Sequence, residues 1–120
     1  MSGSAALERQ LDELRHVGSV DRPTVTGRAG GVSGGSEVQF TVKTADNVLQ
    51  QVRYRAFGGL GLIGGCELWA RRCEKSPLNA LPPAEPVEWL AQLELPREYL
   101  ADMLVVEDAW RDVLAQLVTQ

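Results

Sequence analysis

The spacing of hydrophobic and polar residues changes repeatedly along the chain, and each change marks an element. Ala6, Leu7, Leu11 and Leu14 recur at three- and four-residue intervals, with Glu8, Arg9, Asp12 and Glu13 between them. That spacing predicts a short helix over Ala5–Leu14, capped by Ser4, with Met1–Ser4 fraying ahead of it. Val38, Phe40 and Val42 then alternate with Glu37, Gln39, Thr41 and Lys43, the period of a half-buried strand. Thr44-Ala45-Asp46-Asn47 is a turn by composition. Val52, Tyr54 and Ala56 alternate with Gln51, Arg53 and Arg55, so the two runs read as a hairpin. Leu62, Ile63, Cys66, Trp69, Ala70 and Cys73 restore helical spacing from about Leu60 to Glu74. Gly64 and Gly65 lie inside that helix, each costing about 1 kcal/mol against alanine, which predicts close packing on a neighbour.

Ser76–Pro86 is a connector bearing Pro77, Pro82, Pro83 and Pro86. Pro86 suits the first turn of a short helix over Val87–Leu93, and Pro96 suits the first turn of the last helix. The last helix carries Leu100, Met103, Leu104, Trp110, Val113, Leu114 and Leu117 as its apolar stripe. Thr26–Gly35 is different: it holds Gly27, Gly30, Gly31, Gly34 and Gly35 and has no period. It reads as a loop that is mobile or brings backbone close to something. Strands grouped together and followed by helices predict an α+β fold: a small antiparallel sheet with helices packed on one face, as one domain over residues 1–120.

Composition narrows the function. The chain has 120 residues, 44% hydrophobic and 23% charged, which suits one ordinary globular domain. Net charge is −4, so a polyanion such as nucleic acid is a poor partner. No apolar run approaches the roughly 18 residues of a membrane span. Met1–Leu14 is polar and acid-bearing, unlike a targeting peptide. A cytoplasmic location with reduced thiols is the expectation.

Candidate chemistry is sparse. Cys66 and Cys73 are the only thiols. Seven residues apart on a helix, they are separated by about 10.5 Å along its axis, too far to chelate one ion together or form a disulfide. They are either two buried hydrophobes, the favoured reading, or one is a reactive thiol; Arg71 and Arg72 make Cys73 the better candidate. His16 is the single histidine and reads as a solvated or capping side chain, or else a lone ligand. Gly27–Gly35 lacks the lysine of a phosphate-binding P-loop, and Gly58-Gly59-Leu60-Gly61 lacks dinucleotide-loop spacing. Ser33 and Ser36 have no base nearby in sequence. Trp69, Trp89 and Trp110 read as core, with a partner surface as the other possibility for one of them. Glu94, Glu98, Asp102, Glu107, Asp108 and Asp112 read as a solvated face, or one that pairs with a basic partner.

Four segments, in order, carry a resemblance. They are His16-Val17-Gly18-Ser19-Val20-Asp21, the glycine-rich stretch before the first clear strand, Phe57-Gly58-Gly59 leading into a small-residue helix, and Leu93-Glu94-Leu95-Pro96 followed by Leu104-Val105-Val106-Glu107-Asp108-Ala109. Together they resemble the IscU / NifU N-terminal iron–sulfur cluster scaffold family from Arg15 to Trp110. The resemblance implies an α+β fold with a small antiparallel sheet. It also implies a site in which three cysteine thiolates, helped by an aspartate and a histidine, hold a nascent cluster.

Those ligands do not carry over. The family's first cysteine and its aspartate match Gly34 and Ser36, its second cysteine matches Gly59, and its histidine–cysteine pair matches Ala101 and Asp102. Asp102 offers a hard oxygen, unsuited to building a sulfide cluster. The segment read by the family's chaperone becomes Leu95-Pro96-Arg97-Glu98-Tyr99, without the second proline and the basic end; it stays the candidate partner-binding segment. The resemblance therefore predicts a degenerate, non-enzymatic scaffold-like protein with no cofactor of its own. Its expected partners are a cysteine desulfurase or a true scaffold. The alternative is a metal or sulfur carrier built from Cys66, Cys73, Asp102 and His16.

Overall fold

The computed structural model describes residues 4–31 and 35–119. Helix α1, Ala5–Asp12, comes first. Strands β1 (Val25–Gly31), β2 (Ser36–Ala45) and β3 (Val48–Phe57) follow. Next are α2 (Leu60–Cys73), α3 (Pro86–Gln92) and α4 (Leu100–Val118). The strands form one antiparallel sheet in the order β1-β2-β3. α2 lies on β3, and α4 crosses β1 and β2. This is the expected α+β architecture.

Ser4 caps α1 through its hydroxyl, which accepts from the Leu7 N–H at 2.9 Å and bonds the Leu93 carbonyl. It is therefore part of the folded chain rather than of a frayed end, while the same expectation for Met1–Gly3 lies outside the described residues. α1 stops two residues earlier than its spacing predicts, because Glu13 leaves helical geometry at φ −133°.

β1 is the main departure from the sequence pattern. Half of the glycine-rich stretch is a strand, paired from Val25↔Val42 to Gly31↔Ser36. Gly27 is required by what lies over it. A Cβ on Gly27 would sit 2.7 Å from the Ala109 carbonyl oxygen, so α4 packs directly on strand backbone. α4 also covers the free edge of β1: the Asp112 carboxylate accepts from the Arg28 N–H at 2.9 Å, and the Gln116 amide donates to the Thr26 carbonyl at 2.6 Å. An edge satisfied this way is closed to further strand pairing. Asp112, read from sequence as facing water, thus has a structural partner.

The core lies between sheet and helices. Val38, Phe40 and Val42 meet Leu62, Cys66, Trp69, Met103, Val106 and Trp110, all buried. Trp69, Trp89 and Trp110 are each at most 1% exposed, so none forms a partner surface. Trp69 lies 4.9 Å from Trp89 and 5.9 Å from Trp110 between ring centres, the latter edge-to-face. Gly65 gives the close approach expected of it: a Cβ there would meet the Met103 sulfur at 2.8 Å. Gly64 lies under Leu7 of α1. Pro96 starts a separate turn, Arg97–Tyr99, and α4 begins only at Leu100. The buried stripe of α4 is Met103, Val106, Ala109, Trp110 and Val113, and Leu104 is 43% exposed rather than part of it.

Candidate functional site

Of the positions matched to cluster ligands, Ser36 and Gly59 lie at one end of the sheet, and Ala101 and Asp102 lie on the turn of α4 that packs on the start of α2. Ser36 opens β2 and Gly58 follows the end of β3; a Cβ on Gly58 would lie 3.3 Å from the Ser36 hydroxyl oxygen. Gly59 is the N-cap of α2, exposed, with nothing within 4 Å of where its Cβ would be. Ala101 and Asp102 lie in the first turn of α4, exposed and half-buried respectively. That turn is held on α2 from both sides. Tyr99 meets Gly61, where a Cβ would touch its ring at 2.7 Å, and Met103 meets Gly65. Gly34 lies outside the described residues. Phe57 and Leu60 flank the glycine pair and are 74% and 62% exposed.

The side chains there do not fit an iron–sulfur cluster. Ser36 offers a hydroxyl, Asp102 a carboxylate, and Gly59 and Ala101 nothing; soft iron–sulfide chemistry takes thiolates. The nearest thiol belongs to Cys66, fully buried in α2. Burial pushes its ionisation well up, and the charges of Glu67 and Asp102 push it further. Cys73 is also fully buried, and desolvation raises it despite Arg72 nearby. Neither thiol is poised as a nucleophile or ligand.

His16 is not a solvated side chain. It is 8% exposed and part of a polar network built on α2. Glu67, fully buried, accepts through Oε1 from the His16 N–H at 3.1 Å and from the Tyr54 hydroxyl at 2.9 Å. Its Oε2 lies 2.7 Å from His16 Nδ1 and accepts from Arg71 Nε at 2.9 Å. The other imidazole nitrogen, Nε2, lies 3.0 Å from Glu74 Oε1. Glu74 Oε2 accepts from the Val52 N–H at 2.9 Å and from Arg53 at 2.7 Å. Both imidazole contacts are hydrogen bonds only when the ring donates from both nitrogens.

Burial opposes the charge on Glu67, but bonds from His16, Arg71 and Tyr54 outweigh it and hold the carboxyl below its usual range. Glu74 is lowered in the same way, with burial overcome by the Val52 N–H, Arg53 and His16. Desolvation, and then Glu67, raise the Tyr54 phenol far above its ordinary value.

Both nitrogens of His16 are therefore engaged away from Cys66, Cys73 and Asp102. The four residues of the carrier reading do not form one site. Among the described residues, no group of three or more His, Cys, Asp or Glu side chains is placed to hold a metal ion. Sequence reasoning missed Glu67 and its partners. One signal was present: Glu67 falls on the apolar face of α2, between Cys66 and Ala70, with Arg71 four residues on. A charge on a buried face demands partners. In the candidate partner segment, Pro96, Arg97 and Glu98 are exposed, while Leu95 and Tyr99 are half-buried. No helix among the described residues is long and apolar enough to cross a membrane.

No protein-family model matches the chain, and no curated protein matches its sequence. Solved structures match its shape. A nitrogen-fixing NifU-like protein (N-terminal) from Brucella abortus superposes with a TM-score of 0.73 at 16% identity, covering 97% of this chain and 94% of that one. A hypothetical protein superposes with a TM-score of 0.60 at 11% identity, covering 87% and 90%. A putative iron–sulfur cluster assembly scaffold of the SUF system from Fervidobacterium islandicum AW-1 superposes with a TM-score of 0.55 at 10% identity, covering 94% and 85%. Matching shape over nearly the whole chain, this protein has the fold of the IscU and NifU N-terminal scaffolds.

Proposed function

We propose that this protein is a scaffold-like member of an iron–sulfur cluster assembly system that carries no cluster and acts by protein contact, not catalysis. One observation carries the reading. The scaffold fold is intact, yet the matched ligand positions hold Gly34, Ser36, Gly59, Ala101 and Asp102. The partner is a cysteine desulfurase or a ligand-bearing scaffold, and the setting is the cytoplasm, where Cys66 and Cys73 stay reduced. Exposed Phe57 and Leu60, beside the bare glycine pair, support a contact at this end, since neighbouring exposed apolar side chains mark interaction surfaces.

Anaerobic reconstitution with ferrous iron and sulfide tests the first half: the isolated chain should end with no stoichiometric cluster, and a stable one would refute the reading. Titration calorimetry against the desulfurase and the scaffold of the same cell tests the second half. Saturable binding to one of them, weakened by Phe57→Ser with Leu60→Ser, is the expected result. The carrier reading predicts bound metal or sulfur lost in Cys66→Ala or Cys73→Ala; burial of both thiols weighs against it.

A further inference from the structure

The far end of α4 holds a second, unrelated feature. A half-open cleft of about 440 Å³ lies between the last turns of α4, the connector after α2 and the start of the sheet. Its walls are Leu78, Leu81, Leu114, Leu117 and Val118, and its polar end is Thr24 with Thr44. Leu117 is about 22 Å along the helix axis from Asp102, so the cleft is separate from the scaffold end.

We propose that this cleft binds an uncharged, mainly hydrocarbon small molecule bearing one hydrogen-bond-accepting oxygen. Its volume lies within the range of small-ligand pockets, which are apolar with a few placed polar groups. Its lining carries no charged side chain, in a chain that is 23% charged. The last turn of α4 has no basic residue and presents the negative end of the helix dipole, which turns away a carboxylate or phosphate. The polar end offers a donor. The Thr24 hydroxyl oxygen accepts from the Thr44 N–H at 3.0 Å and lies 3.4 Å from the Thr44 hydroxyl. One hydroxyl of this pair can donate to the other, and the remaining hydroxyl proton has no acceptor among the described residues, so a ligand oxygen would complete the pair. A second copy of the chain is the competing occupant, and the experiment below separates the two. The proposal is independent of the role in cluster assembly.

Fluorescence titration of the full chain with the neutral ketone dye prodan tests it. Saturable one-to-one binding with blue-shifted emission is expected, and the anionic dye anilinonaphthalene sulfonate should bind at least about tenfold more weakly. Leu117→Asp and, separately, Leu81→Asp should each weaken prodan by at least about tenfold with far-UV circular dichroism unchanged. Thr24→Val should weaken it about three- to tenfold. Binding that does not saturate, or that survives both aspartate variants, overturns the proposal. So does sedimentation showing a dimer of the free chain that prodan cannot enter, which would give the cleft to a second copy.

Discussion

The first turns of α2, from Gly59 to Gly65, carry almost no polar side-chain chemistry; the last turns, from Glu67 to Glu74, carry a dense polar network. At the first end the glycines let Tyr99 and Met103 lie against helix backbone. At the other, two carboxylates, two guanidiniums, a phenol and an imidazole satisfy one another under cover. A scaffold would be expected to concentrate its chemistry at the first end. Here the ionic groups instead pin the segment before the sheet: the His16 carbonyl accepts from the Tyr54 N–H at 2.9 Å while its ring is held by Glu67 and Glu74. In this chain the end of α2 is a structural hub.

The sharpest way to break that contrast is Glu67→Ala. It leaves His16, Tyr54 and Arg71 without their shared acceptor in a buried place, and chemical denaturation should show a loss of about 3–5 kcal/mol. His16→Ala removes two contacts to carboxylates and should cost about 1.5–3 kcal/mol; in a double-mutant cycle with Glu67→Ala the losses should fall clearly short of additive. Additive losses would mean that the network is a set of independent bonds.

Acid supplies a gentler probe. The folded carboxyls of Glu67 and Glu74 lie below their ordinary value of 4.5, so their contribution is complete above that value and is lost as the pH falls through the lower, folded range. The melting temperature should hold from pH 7 to about 5 and fall below 4.5, with a shallower fall in Glu67→Ala.

The smallest effect on stability belongs to the other end. Gly59→Cys, with open space at its Cβ, and Asp102→Cys, on a half-buried turn, should each change stability by no more than about 0.5 kcal/mol. Combined with Gly34→Cys, they should give a chain that takes up an iron–sulfur cluster under anaerobic reconstitution. A triple variant that folds and still binds none would mean that the three corners no longer face a common centre.

The hairpin, α2 and α4 were legible because their apolar residues keep a period that survives any tertiary context. β1 was not, because Gly27, Gly30 and Gly31 contribute no side chains to alternate; the strand exists through pairing with β2 and through α4 lying on its backbone. The ligand positions could be matched only through the segments around them. The polar network was hidden for the opposite reason. His16 and Glu67 are 51 residues apart, and no local pattern announces a bond over that separation. Leu104 was misplaced because the apolar residues of α4 exceed one stripe, and contact with the sheet selected Val106 and Ala109 in its place.

The three indoles packed together in the interior also equip this chain with an optical reporter. With all of them shielded from water, emission should be blue in the native state and shift red in a single step on denaturation. Trp69 is about 13 Å along the helix from Leu60, so a protein docking at that turn should leave the spectrum nearly unchanged, and intrinsic fluorescence will read cohesion of the whole molecule while staying silent about a partner at the glycine pair.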